Sequence, residues 1–278
     1  MVSVAEVLSA KTWRALKMPK TKDSLRDLQR ALHPDVNPDP QANDAFAKAM
    51  SLFEGPDFML RVANGTATES HLIGWNPTKD FGDRNIVAVR ALEQLAKLPD
   101  EFRRFFPKIH DFGPDHITVA YGEGWWFVED FPEFDSRTSV WIAKRGAAAI
   151  KKAAESGIVH GDINPKTVVL LPSQHGLMLD GWWHSVKLGS RLALKPEAPT
   201  PARYFGGAEA DEKLMVAQFA AMLTSRSNPD KVLLEAFKKA SLGTMDAEKF
   251  FNLVSDAATK LYGPASWHEL NVPSVPMI

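Results

Sequence analysis

Residues 157–182 read GIVHGDINPKTVVLLPSQHGLMLDGW, and the rest of the chain is best read outward from them. Ile158 and Val159 form an apolar entry to His160-Gly161-Asp162, after which Pro165 favours a turn. Val168 to Leu171 is a short apolar run bounded by turn residues, the pattern of a buried strand. A polar turn over residues 172–176 leads to a second apolar run, Leu177 to Leu179, which delivers Asp180. The stretch predicts a hairpin with one carboxylate, Asp162, in the loop before it and a second, Asp180, at its far end. Strand side chains alternate faces, so a shift of one residue would turn Asp180 away and put Gly181 in its place. Both registers are open at the level of sequence.

The bulk properties bound the answer without naming a function. A chain of 278 residues has room for two domains, or for one large domain with an appendage. Its hydrophobic fraction of 45% fills a sizeable core, and a net charge of −1 supplies no global field for nucleic acid or an anionic membrane. Cysteine is absent, which excludes disulfides and thiolate metal sites and fits a reducing compartment. The first twenty residues carry no basic-then-apolar leader, and no apolar run approaches the ~18 residues of a membrane helix. The expectation is a soluble cytoplasmic protein that engages neither nucleic acid nor membrane.

Residues 1–57 read as a separate helical unit. Leu25, Leu28 and Leu32 fall on one face of a helix over Lys22–Leu32, and Lys22, Arg26 and Arg30 form a basic stripe along it. Pro34 disfavours helical geometry at His33 and ends the helix. Asp39-Pro40 is a suitable start for the next helix, which presents Ala45, Phe46, Ala49, Met50, Leu52 and Phe53 before Gly55 closes it.

From residue 58 the pattern turns to strands. Asn64-Gly65 predicts a hairpin between residues 58–63 and 66–75, a helix follows over residues 83–98, and Gly122-Glu123-Gly124 predicts a second hairpin, 117–121 with 125–131. A second registration makes Val87-Ala88-Val89-Arg90 a strand. Helices are expected over residues 136–156, 211–223, 229–240 and 246–261, the second of them buried all round.

Two resemblances attach to these residues. The helix pair joined by His33-Pro34-Asp35 resembles the J domain, the Hsp70-stimulating module of DnaJ-type co-chaperones. It implies an Hsp70 partner whose acidic face is contacted by His33, Pro34, Asp35, Lys22, Arg26 and Arg30. Residues 157–182 resemble the H-x-D-x-x-x-x-N loop and D-F-G turn of protein kinases; the His-Gly-Asp form is also that of small-molecule kinases of the aminoglycoside-phosphotransferase type. The kinase resemblance implies that Asp162 is the catalytic carboxylate and that Asp180 holds Mg²⁺ against the phosphates of ATP. It also implies that Glu93 is the helix carboxylate, that Glu129 lies near the nucleotide hinge, and that Asp211 braces the catalytic loop; read by position alone, Glu93 is a solvated helix-face charge and Asp211 an ordinary acid at a helix N-terminus.

The sequence departs from the kinase pattern at several points. Thr167 stands where the family has its metal-binding Asn, and a hydroxyl is the weaker ligand. The strand over residues 71–75 has no lysine: Lys79 falls in the following loop, and Arg90 is the cation of the second registration. No Gly-rich loop covers the phosphates, and Gly243-Thr244-Met245-Asp246 lacks the arginine that braces many kinase C-lobes.

As a whole the chain resembles a family of J-domain–kinase-like fusion proteins from bacterial and phage-type genomes. The implied fold is α+β: a J-like helical module at residues 1–57, then a bilobal kinase-like domain at 58–278. That domain has a reduced N-lobe at 58–131 and a helical C-lobe at 132–278. The implied function is a pseudokinase-type scaffold or adaptor. Its alternatives are an ATP- and Mg²⁺-dependent phosphotransferase using Asp162 and Asp180, and a protein that uses a pocket or its Trp-rich surface for an unrelated ligand.

Overall fold

The computed structural model of the chain describes residues 2–10, 16, 22–33, 36–54, 69–73, 82–113, 116–120 and 125–264. The architecture is mixed α+β, mostly helical with small antiparallel sheets. Its buried apolar residues form two separate clusters, one within residues 4–49 and one within residues 88–257.

The first cluster is built by three helices, α1 (Val4–Ser9), α2 (Lys22–Leu32) and α3 (Ala42–Glu54). Ser3 and Glu6 cap α1 reciprocally: Glu6 N donates to Ser3 Oγ at 3.2 Å, and Ser3 N donates to Glu6 Oε2 at 2.7 Å. Leu28 and Leu32 of α2 are buried with Ala45 and Ala49 of α3, as the helical spacing requires. The turn between the two helices is held from within. Val36 N and Asn37 N donate to His33 O, Asn37 Nδ2 donates to Ala31 O at 2.9 Å, and Asp39 Oδ1 accepts from Gln41 N at 2.9 Å. These bonds satisfy carbonyls that the end of α2 leaves open.

The next segment departs from the sequence expectation. Strands β1 (Glu69–Ile73), β2 (Lys108–Gly113) and β3 (His116–Ala120) form an antiparallel sheet in the order β1-β3-β2. The expected pairing of residues 117–121 with 125–131 does not form; β4 (Trp126–Phe127) pairs instead with β6 (Val168–Leu171). The reason is burial. Ile117 and Val119 join Ala88, Leu92 and Leu95 of α4 (Gly82–Leu95) in one core, whereas β4 is drawn to a β6 strand buried along its whole length. Strand β2 escaped the sequence reading because Lys108-Ile109-His110-Asp111 does not alternate cleanly and a bulge interrupts its register between Ile109 and Asp111. The strand registration of Val87 to Arg90 is overturned, since those residues are helical in α4. The hairpin expected around Asn64-Gly65 lies outside the described residues apart from β1, as does Lys79.

The remaining helices follow their predicted spans closely. After the short α5 (Asp100–Arg103) come α6 (Ser136–Glu155), β5 (Ile158–Val159), β6, β7 (Gly176–Leu179), β8 (Val186–Lys187), α7 (Ala202–Phe205), α8 (Glu212–Arg226), α9 (Lys231–Ser241) and α10 (Ala247–Tyr262). Helix α8 is buried from Leu214 to Ala220 on every side, and α6, α9 and α10 pack around it. Gly146 lets α6 approach closely: a Cβ there would fall inside the Phe219 ring of α8. At the C-terminal end of α8, Arg226 donates to the carbonyls of Val128, Glu129 and Phe131, tying residues 128–131 to the helical core. Arg203 donates to Gly243 O, tying α7 to the turn before α10. No helix among the described residues is long and apolar enough to cross a membrane.

Candidate functional site

The predicted hairpin forms between β6 and β7, with Val168 opposite Leu179 and Leu171 opposite Gly176. It sets Asp162 and Asp180 at the two ends of one buried loop system, 4% and 1% exposed. His160 joins them. Its ring is fully buried, its Nε2 lies 2.5 Å from Asp180 O, and its Nδ1 accepts from Asp162 N at 3.3 Å. Those partners fix the neutral Nε2–H tautomer, and burial pushes the imidazole down to about 4. Trp182 tilts against the same ring at 4.6 Å and donates its Nε1–H to Leu179 O.

Two glycines permit the loop to close on itself. Gly161 has φ +87°, and a Cβ there would strike His184 O; Gly181 has φ +76°, and a Cβ there would lie 2.7 Å from Thr167 Cγ2. The loop backbone is then braced from α8. Gln218 Nε2 donates to Gly161 O at 2.8 Å, and Gln218 Oε1 accepts from Ile163 N at 3.1 Å. Of the two roles open to Asp211 from the sequence, bracing the loop and serving the N-terminus of its own helix, the structure has the second: Asp211 caps α8, accepting from Leu214 N and Tyr204 Oη. A lone glutamine inside the apolar run Leu214 to Leu223 was the signal available.

Asp162 is committed inside the protein. Its Oδ1 accepts from Ala198 N at 2.7 Å, its Oδ2 accepts from Asn164 Nδ2 at 3.2 Å, and His184 Nε2 stands 3.8 Å from Oδ2. Burial raises the Asp162 carboxyl above its ordinary value, opposed by the Ala198 amide, His184 and Asn164. Burial lowers His184, opposed by Asp162. The contact therefore joins a neutral imidazole to an acid whose charge the site disfavours. Ala198 belongs to a strap crossing the loop, held by Gln218 Nε2 to Thr200 Oγ1 at 3.0 Å and by an exposed Lys166–Glu197 ion pair at 3.0 Å. Asn164, His184, Ala198 and Gln218 were not picked out from the sequence.

The other expected residues are scattered relative to this pair. Thr167 uses its hydroxyl within the loop, accepting from Asn164 N at 2.9 Å and donating to Asp162 O at 3.1 Å or Asn164 O at 3.2 Å. Glu93 is on the exposed side of α4. Glu129 is half-buried in a 3₁₀ turn whose backbone bonds to Pro165 O and Arg226. Among the described residues, no three His, Asp or Glu side chains gather as a metal site would require. Both Asp162 oxygens and the Thr167 hydroxyl serve bonds internal to the loop.

At the other end of the chain, His33 is exposed, with its ring edge-on to Phe46 at 6.1 Å. Arg26 and Arg30 form exposed ion pairs with Asp23 and Asp27, at 3.3 and 3.7 Å. Pro34, Asp35 and the Lys22 side chain lie outside the described residues. No family model matches the chain, and no curated protein matches it.

Proposed function

We propose that the chain is a kinase-like scaffold with a J-like N-terminal module, in which the His160-Gly161-Asp162 loop is kept as a structural hub. The observation that carries this reading is the internal engagement of Asp162 by Ala198 N and Asn164 Nδ2. Phosphoryl transfer depends on positioning and charge neutralisation, which requires carboxylate oxygens open to a hydroxyl and a metal. Here they close a strap over the loop. In this reading residues 1–57 recruit an Hsp70 or another protein partner, with exposed His33, Arg26 and Arg30 on the contacting side.

An ATP-dependent phosphotransferase is the second reading. It is favoured by His160, which links the backbone at Asp162 to the backbone at Asp180 and so keeps both carboxylates in one unit. Release of Ala198 from Asp162 would give that carboxylate a free acceptor beside neutral His184.

A thermal-shift titration with ATP and Mg²⁺ separates the two. The scaffold reading expects no metal-dependent rise; a rise that disappears in Asp180→Ala overturns it, because a ligand that binds the folded state must raise apparent stability. The partner is tested by Hsp70 ATPase rates with wild type and His33→Gln. Equal rates with both chains would remove the Hsp70 assignment.

A further inference from the structure

A cleft of about 490 Å³ opens between α6 and α10, away from the His160-Gly161-Asp162 loop. That volume is in the range of small-ligand sites, about 300–1,000 Å³. Helix α6 contributes Arg137, Trp141, Lys144 and Arg145 to its wall, at the spacing of a single helical face. Helix α10 contributes Phe251, Ser255 and Tyr262.

Two features of the lining point to one ligand chemistry. The first is charge. Among the described residues, no Asp or Glu lines the cleft and none of Arg137, Lys144 and Arg145 has a carboxylate partner. Arg145 also lines a smaller recess of about 80 Å³ that adds Arg104. Burial and the nearby Arg104 both lower the Arg145 guanidinium, so two like charges share a partly dry corner without an anion between them.

The second feature is the aromatic floor. Trp141 stacks on His175 at 4.9 Å with the rings 9° apart, Arg137 lies over the Tyr262 ring at 4.9 Å, and Lys144 lies over the Phe251 ring at 5.0 Å.

We infer that this cleft is a binding site for a small organic anion, a phosphate or carboxylate borne on a planar ring. The ring packs on the Trp141 side of the cleft, and the anion sits at Arg145, where the recess brings in Arg104. The inference is independent of any nucleotide at the His160-Gly161-Asp162 loop and stands whichever reading of that loop holds.

The test is saturation-transfer NMR and calorimetry on the full chain with phenyl phosphate, inorganic phosphate and phenol. Phenyl phosphate is expected to bind more tightly than either fragment. Arg145→Gln and Lys144→Gln, both at half-exposed positions that tolerate the change, are each expected to weaken it about tenfold or more. Asp162→Asn is expected to leave the affinity unchanged, which separates this site from the loop. The proposal is overturned if phenyl phosphate gives no saturation transfer at millimolar concentration, or if both charge-removing variants bind it as wild type does. Equal affinity for inorganic phosphate and phenyl phosphate would overturn the ring-binding half.

Discussion

Gln218→Met is the substitution that asks most directly what holds the central loop in place. Methionine has nearly the volume and flexibility of glutamine, so packing in α8 is kept while both polar functions are removed. Gly161 O loses its donor and Ile163 N loses its acceptor, in a region where Gln218 itself is 0% exposed. Each orphaned group costs about 1–3 kcal/mol, so the pair costs roughly 2–6 kcal/mol, with about 3 kcal/mol a central value after relaxation. Against a typical total of about 5–15 kcal/mol this is a large fraction, and it corresponds to a fall in Tm of roughly 6–12 °C.

The assay is thermal and urea unfolding followed by tryptophan fluorescence, with amide hydrogen exchange at Ile163 and Ala198. Exchange at both amides should accelerate, because the same glutamine also holds Thr200 of the strap. Gln218→Glu keeps an acceptor for Ile163 N but sets a carboxylate against Gly161 O, so it should cost more at neutral pH than in mild acid. A Gln218→Met protein melting within about 2 °C of wild type, with unchanged exchange at Ile163, would refute the bracing role.

Two further outcomes follow from the same core. His160 is held neutral in the folded state at about 4, whereas in the unfolded chain it titrates near its ordinary 6.5, so the unfolded state binds the proton first. Its contribution is complete above pH 6.5 and is lost progressively down to about pH 4, amounting to about 3 kcal/mol; chemical denaturation from pH 7 to 4 should show that slope, and His160→Gln should flatten it. Gly146→Ala should lower stability by about 1–3 kcal/mol by forcing α6 and Phe219 apart, readable as a lower urea midpoint at constant m-value; an unchanged midpoint would mean that the helices yield freely.

The parts of the fold legible in the sequence are those whose causes are local. Lys22–Leu32 declared itself by leucine spacing and a proline stop, and β6–β7 by two apolar runs around a polar turn. The candidate site was legible only as far as its loop. Asp162 and Asp180 could be counted off, but the Ala198 amide that holds Asp162 and the Gln218 side chain that holds Gly161 could not, since they lie 36 and 57 residues away.

Sequence by itself therefore determined a mixed α+β chain with a helical N-terminal unit, a His-Gly-Asp loop feeding a buried hairpin, and a set of C-terminal helices. Tertiary structure alone decided which strand β3 pairs with, which α8 residue braces the loop, and that Asp162 is turned inward to a backbone amide. It also decided that three α6 cations line a cleft with no carboxylate among the described residues of its wall. The physical reason is common to all four. Periodicity and capping act over a few residues and leave a pattern in the order of side chains. A hydrogen bond or a cleft between distant segments depends on where the hydrophobic core places them, and the local sequence carries no period that records it.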